Sequence, residues 1–190
     1  MPRIWSETIA AHRDAVRDAT LDATAALVDS RGLTGLTMSE IARQSGIGRA
    51  TLYKYFPDIE SILAAWHERQ VSEHLRQLAV VSETTAPAER LEAVLRAYVA
   101  QSGRRRGHSG DLAAMPHQGE HVTRAHAHLN EFITALIGEA AARGGARDDI
   151  PAAELAAYCL HALTASAAMP SEAAVDRLVG VTLAGLRRAP

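Results

Sequence analysis

The sequence predicts an all-α fold. Apolar residues recur at helical spacing along nearly the whole chain, and no stretch alternates apolar and polar residues as a half-buried strand would. Aromatic residues make up only 4% of the chain and hydrophobic residues 47%, so alanine and leucine must supply most of the core. Small aliphatic side chains favour close-packed helices over a sandwich of strands.

The N-terminal part is predicted to contain one long helix and one short helix. The first covers about residues 6–30, and Gly32 stands where a glycine commonly ends a helix. Thr37 is the expected N-cap of the second helix, because Glu40 follows it at the spacing of a capping box. Gly46 suits the positive φ that stops this helix.

Helical patterning then resumes and continues through the rest of the chain. A short third helix covers about residues 49–55, and Pro57 ends it. Asp58 can cap a long fourth helix that reaches about residue 81, and the stretch SETTAPAE is predicted to be a linker. The remaining helices are expected at about residues 87–102, 118–143, 152–167 and 171–187.

Charge is distributed unevenly along the chain. The formal net charge is -2, yet residues 31–56 carry four cations and one anion, namely Arg31, Arg43, Arg49, Lys54 and Glu40. A basic patch on an acidic protein fits a localised polyanion site, although charge alone is equally compatible with scattered surface charge. We place the domain boundary after the third helix, with one domain at residues 1–56 and the other at residues 57–190.

The chain has one cysteine, Cys159, within the apolar stretch ELAAYCLHALTA. It can form no intramolecular disulfide, which suits a reducing compartment, and its neighbours predict a buried and unreactive thiol. No N-terminal run fits a signal peptide, and no apolar run reaches the ~18 residues of a membrane span. We therefore expect a cytoplasmic protein with no membrane partner.

The stretch LTMSEIARQSGIGRATLYKYFP, residues 36–57, carries the sharpest signal. Two short helices joined by a three- or four-residue turn with glycine match the helix-turn-helix that places its second helix in the major groove of DNA. A simple helical hairpin inside a bundle is the alternative. A small core is expected at Ile41, Ala42, Ile47 and Leu52. The outward positions of the second helix are Arg49, Ala50, Tyr53 and Lys54, which suit base edges and phosphates.

Residues 10–66 resemble the DNA-binding domain of TetR-type (TetR/AcrR-like) transcriptional regulators. The matching text is LDATAALVDSRGLTGLTMSEIARQSGIGRATLYKYFPDIESILAAW, in which GIGRATLYKYFP resembles the recognition helix and the tail that follows it. The resemblance implies base-facing positions at Arg49, Ala50 and Tyr53. It implies positions near phosphates at Met38, Ser39, Thr51, Lys54 and Tyr55. Ile59 departs from the family, which commonly has a phosphate-contacting lysine there.

The rest of the chain resembles this family in helical layout only. The resemblance implies a C-terminal helical domain for ligand binding and dimerisation, with a homodimer formed through the last two helices. Their apolar residues exceed what one thin layer could bury, although completing each subunit's core is the alternative. These residues are Leu155, Leu160, Leu163, Val175, Leu178, Val179, Leu183 and Leu186.

The central helices are expected to enclose a pocket for a small-molecule effector. Such pockets are largely apolar and contain a few polar groups that orient the ligand. Plain core packing is an equally good explanation for each single candidate. The candidates are Trp66, Tyr98, His121, Phe132, Tyr158 and His161.

The stretch HQGEHVTRAHAHLNEF suggests a rival function. His117, Glu120 and His121 match the H-x-x-E-H pattern of inverzincin peptidases, in which the glutamate is the base for a zinc-bound water. Pro116 and Gly119 weaken the helix that must hold the ligands, and no third ligand is evident. A solvated or pocket-lining histidine face is the alternative, and we expect no catalytic residue, no metal and no cofactor.

The sequence thus predicts a ligand-responsive repressor. It would bind double-stranded operator DNA of palindromic sequence and leave it when a small molecule binds the C-terminal domain. A metal-dependent hydrolase using His117, Glu120 and His121 is the alternative function.

Overall fold

The computed structural model describes residues 3–33, 35–104 and 119–187, with side chains at residues 10–33, 35–101 and 127–187. Within these ranges every regular element is helical, as the apolar spacing predicted. None of their helices combines the length and the apolar character that crossing a bilayer requires. The α-helices are α1 (Arg3–Arg31), α2 (Met38–Ser45), α3 (Arg49–Tyr55), α4 (Ile59–Thr84), α5 (Arg90–Arg104), α6 (Gly119–Ala142), α7 (Ala152–Thr164) and α8 (Glu172–Leu186). A 3₁₀ turn, Ala165–Ala168, follows α7.

The fourth helix is longer than predicted. It runs through the first three residues of SETTAPAE, which the sequence predicted to be a linker. Two threonine hydroxyls stabilise this extra turn, since Thr84 Oγ1 donates to the Val80 carbonyl at 2.7 Å and Thr85 Oγ1 donates to the Val81 carbonyl at 2.6 Å. Carbonyls at a helix end lack backbone partners, so hydroxyls that supply one extend the helix.

The chain forms two compact units that divide within α4, between Gln70 and Val71. The first contains α1, α2, α3, the start of α4 and the first three residues of α6, and the second contains the rest of α4, α5, the rest of α6, α7 and α8. The functional boundary after residue 56 stays a prediction.

The first unit packs around side chains from all four of its helices. Ile41 and Leu52 have no exposed surface, and Trp66 of α4 is also buried in this core. Ion pairs along the outside join α1 to α4, with Arg69 reaching Asp22 at 2.8 Å and Asp18 at 3.9 Å. The two short helices α2 and α3 and the start of α4 therefore rest on α1, which is the longest of the described helices.

The second unit has its own core, formed by α4 to α8. The fully buried members include Leu78, Leu95, Ile133 and Cys159. Burial raises the pKa of the Cys159 thiol from 9.0 to about 11, which agrees with the unreactive cysteine that its neighbours predicted.

The apolar residues of α7 and α8 are more deeply buried than a dimer face requires. Four of the eight residues expected there are buried inside the subunit, namely Leu155, Leu163, Val179 and Leu186. The other four are partly buried against the same core. Completion of the subunit core, the alternative explanation, therefore accounts for most of their apolar surface, and the homodimer through the last two helices stays a prediction. The large apolar side chains that these helices leave exposed are Tyr158 and Val181.

Candidate nucleic-acid interface

The N-terminus of α2 is held by the capping box that the sequence predicted. Thr37 lies in extended conformation, and its Oγ1 accepts the Glu40 N–H at 3.3 Å. In return, the Glu40 carboxylate accepts the Thr37 N–H at 3.1 Å and the Thr37 hydroxyl at 2.7 Å. These bonds satisfy amide groups that a helix start leaves without partners, so α2 begins at a fixed residue.

The turn between α2 and α3 consists of Gly46, Ile47 and Gly48. Gly46 adopts φ 72°, in the left-handed region that glycine enters without steric cost. Ser45 stabilises the turn from the helix end, since its Oγ donates to the Ala42 carbonyl and accepts the Ile47 N–H, each at 3.3 Å. The three-residue connection is the turn expected of a helix-turn-helix.

The small core predicted behind this turn is present. Ile41, Ala42 and Leu52 are buried, and Ile47 packs against them while remaining half-buried. Phe56 is buried directly after α3, and the guanidinium of Arg17 lies 5.8 Å from the centre of its ring. Both ends of α3 are therefore fixed on the first unit.

With Leu52 turned inward, α3 presents its polar residues outward. Arg49, Ala50, Thr51 and Lys54 are exposed, and Tyr53 keeps 45% of its surface exposed. Tyr55 is half-buried against the core. On α2, Ser39 is exposed, whereas Met38 is half-buried against the same core. The structure thus groups these positions on one unit, and their contacts with DNA stay predictions.

Ion pairs divide the cations of the first unit into two sets. Arg17, Arg31 and Arg69 pair with carboxylates of the same unit. Arg43, Arg49 and Lys54 are exposed and belong to none of the ion pairs found in the described part of the chain. Arg13 of α1 belongs to this second set too; its other three members lie on α2 and α3, where unpaired positive charge can attract phosphates.

Sequence reasoning did not assign Arg43 to the interface. Its signal was available, because Arg43 follows the buried pair Ile41 and Ala42 and therefore turns outward on α2. The ion pair between Arg31 and Glu40 was also missed. Its members lie nine residues apart on different helices, and only the folded chain shows the 2.7 Å distance from Arg31 Nη1 to Glu40 Oε1.

The predicted pocket residues occupy different environments. Trp66 lies in the core of the first unit, and its buried Nε1 has no hydrogen-bond partner. Tyr98 and Phe132 both pack against the core of the second unit, where the Tyr98 ring stacks on His74 at 6.2 Å between centroids. Tyr158 and His161 are exposed on α7. The side chain of His121 lies outside the described residues, and all six assignments stay predictions.

The H-x-x-E-H pattern gains no support. His117 and the side chains of Glu120 and His121 lie outside the described residues. In the described part of the chain, no group of three or more histidine, cysteine, aspartate or glutamate residues is placed to hold a metal ion. His128 is exposed on α6.

Two family models match the chain and together span most of it. The family described as "Bacterial regulatory proteins, tetR family" matches residues 21–66. The family described as "Transcriptional regulator SbtR-like, C-terminal domain" matches residues 86–188, which is more than half of the chain.

Individual proteins agree with these matches. An uncharacterized HTH-type transcriptional regulator of Mycobacterium tuberculosis is 37% identical over 75 residues, which are 39% of this chain and 37% of that protein. The chain therefore aligns with less than half the length of such curated relatives. A TetR/AcrR-family regulator from Thermobifida fusca has a TM-score of 0.71 at 19% identity, covering 90% of this chain and 98% of its own. Thermus thermophilus FadR, a TetR-family repressor in complex with lauroyl-CoA, has a TM-score of 0.60 at 20% identity, covering 92% and 97%.

Proposed function

Because this chain belongs to the TetR family of bacterial regulatory proteins, we propose that it is a homodimeric repressor released from its operator by a small molecule. Its setting would be the bacterial cytoplasm. The observation that carries the proposal is the outward face of α2 and α3, where Arg43, Arg49 and Lys54 are exposed without ion-pair partners. A structural helical hairpin has no need of such a face.

The side chains on this face divide by chemistry. Arg49 is at the start of α3 and can form two hydrogen bonds with the edge of guanine in the major groove. Ala50 and Tyr53 lie on the same face and supply apolar and hydroxyl contacts to bases. Thr51 and Lys54 can bind phosphate oxygens, as Ser39 can from the start of α2, and such contacts fix the register of the protein on the duplex.

Two copies of the first unit, which we call the head, are needed for tight and selective binding. A symmetric dimer places two recognition helices about one turn of DNA apart, so its operator is a palindrome. The exposed Tyr158 and Val181 on α7 and α8 support an interface there. The Tyr158 hydroxyl lies 3.1 Å from where a Cβ on Gly185 would stand, so this glycine allows the aromatic ring to lie against α8.

The effector acts by preferring one conformation of the dimer. A ligand that binds better to a head spacing mismatched with the operator lowers DNA affinity, whereas equal binding to both spacings has no effect. The lauroyl-CoA complex of the Thermus thermophilus neighbour supports a small-molecule effector in general. At 20% identity it does not define the chemistry of the ligand for this chain.

The proposal is tested by selecting binding sites from random double-stranded DNA. We expect the wild-type protein to select a palindrome and Arg49→Ala to lose about 1–3 kcal/mol at one base pair of each half-site. Arg76→Ala is the matched control, because it removes an exposed arginine from the second unit. Failure of the wild type to select any sequence would refute the proposal. Uniform weakening of Arg49→Ala on all sequences would assign Arg49 to phosphate only.

The effector is sought by measuring release of the selected operator in a screen of metabolites. At least one compound should dissociate the complex, and it should also bind the free protein saturably and with a defined stoichiometry. A protein that keeps its operator through a broad screen would be a constitutive DNA-binding protein, which contradicts the ligand-responsive part of the proposal.

A further inference from the structure

Glu40 uses both carboxylate oxygens, and each oxygen serves a different helix. Oε2 accepts two hydrogen bonds from Thr37 at the start of α2, namely the capping-box bond from its N–H and a second bond from its hydroxyl. Oε1 accepts a hydrogen bond from Nη1 of Arg31, the last residue of α1, at 2.7 Å. One side chain therefore joins the end of the longest helix to the beginning of the helix-turn-helix.

The charge state of this junction is constant over the physiological range. Hydrogen bonds from Arg31 and then from Thr37 lower the pKa of Glu40 to about 2. The hydrogen bond to Glu40 in turn raises the pKa of Arg31. Glu40 is also the only acidic residue between residues 31 and 56. Because Arg31 neutralises it, the DNA-facing head has no uncompensated negative charge from this segment.

We propose that Arg31 and Glu40 are positioning residues for DNA recognition, which form an interhelical clasp that orients the N-terminus of α2 without touching DNA. The inference rests on the proposed function. Glycines at φ 80° and φ 78° (Gly32 and Gly35) allow the connection between α1 and α2 to turn sharply, and the clasp spans this connection. Ser39, a predicted phosphate contact, immediately precedes Glu40, so a shift of the clasp moves Ser39 with it.

A single substitution separates positioning from simple electrostatics. Glu40→Gln keeps one carbonyl oxygen for the capping box, since glutamine also serves at this position. It removes the ion pair with Arg31 and deletes one negative charge from the head. If Glu40 affected DNA only through its charge, its neutralisation would strengthen binding to a polyanion. If Glu40 positions α2, the same change weakens binding to the selected operator, so the two explanations predict opposite signs.

The expected effect is modest for each head and larger for the dimer. Exposed ion pairs contribute little individually, so we expect a roughly twofold to fivefold loss of affinity per head. Two heads on one palindrome multiply to a loss of roughly 4- to 25-fold.

The experiment measures operator affinity by titration for the full-length wild type, Glu40→Gln, Arg31→Gln and the double variant. Glu73→Gln is the control, since it also breaks an ion pair and removes one negative charge, but on α4 in the second unit. Thermal unfolding, and titration of the fraction of each variant that binds DNA, confirm that equal amounts of folded protein are compared. We expect Glu40→Gln to weaken binding, Glu73→Gln to change it less than about twofold, and the double variant to lose less than the product of both single losses.

Either of two results overturns the clasp. One is Glu40→Gln binding the operator as tightly as the wild type or more tightly. The other is independent, multiplicative losses for the two single variants, which would mean that Arg31 and Glu40 do not act through each other. A wild type that selects no operator is a separate outcome, because it overturns the proposed function directly and the role of the clasp with it.

Discussion

Val181 provides the most direct test of the proposed dimer. It lies on α8 and keeps 67% of its surface exposed in the single subunit, the largest exposed fraction of any large hydrophobic residue among those described. The proposed dimer explains this exposure, because a second copy packed against α8 would cover the Val181 side chain. Val181→Asp places a charge at that position and should leave the subunit core intact.

The magnitude follows from the exposed fraction. Complete burial of a valine side chain stabilises by ~1.5–3 kcal/mol, so burial of the exposed two-thirds contributes ~1–2 kcal/mol per copy. Each symmetric interface contains two copies, which gives ~2–4 kcal/mol. Loss of this contribution raises the dimer dissociation constant roughly 30- to 1000-fold. Desolvation of the introduced carboxylate increases the effect further.

Sedimentation equilibrium over a range of concentrations measures this constant. The matched control is Val80→Asp, which introduces the same charge at a valine on α4 that is 53% exposed and lies outside α7 and α8. We expect Val181→Asp to become monomeric at concentrations where Val80→Asp and the wild type are dimeric. Equal dissociation constants for all three proteins, or a monomeric wild type, would refute the assignment of the interface.

Two further predictions concern the subunit itself. Gly46→Ala should lower the free energy of unfolding by about 1–2 kcal/mol, because alanine is strained at φ 72°. Gly138→Ala, at an exposed position within the C-terminal part of α6, should raise the free energy of unfolding by up to about 1 kcal/mol. Urea denaturation measures both values, and equal losses would contradict the role of the turn. Cys159 should react with a thiol reagent at pH 8 at least 100-fold more slowly in the native protein than in urea, since burial raises its pKa to about 11 and the thiolate is the reacting form. Because the folded pKa exceeds the unfolded value of 9.0, the contribution of this thiol to stability is complete below pH 9 and is lost as the pH rises toward 11. Rapid labelling of Cys159 in the native protein at pH 8 would contradict a buried thiol with a raised pKa.

The sequence located the helix-turn-helix to the residue, because each of its signals is local. The capping box of Thr37 and Glu40 depends on residues three positions apart, and the left-handed Gly46 depends on a single residue. Ile41 and Leu52 were recognisable as core because apolar spacing within a helix decides which face is inward. The same spacing placed Arg49 and Tyr53 on the outward face of α3, where the structure also has them exposed. Most residues of the candidate interface could therefore be predicted from the sequence.

The pocket and the dimer surface were much less readable, since aromatic or aliphatic character does not say which neighbour a side chain meets. Trp66, a predicted pocket residue, lies in the core of the first unit, and its assignment to the pocket stays a prediction. Leu155 and Leu163 were among the apolar residues that suggested a dimer through the last two helices, and both are buried within their own subunit. Tyr158 and Val181 were left exposed by the packing of α7 and α8, which depends on distant parts of the chain.

The sequence by itself determined that this protein is helical, where its glycines end the helices and which residues of α3 face outward. These properties follow from backbone freedom and from the period of the α-helix, which act over a few neighbouring residues. Only the tertiary structure decided which cations form ion pairs with carboxylates of the same chain. Arg31 at the end of α1 pairs with Glu40 of α2, and Arg69 of α4 pairs with Asp22 of α1. Ion pairs and packing contacts require side chains to be close in space, and residues far apart in the sequence come close only when the helices pack together.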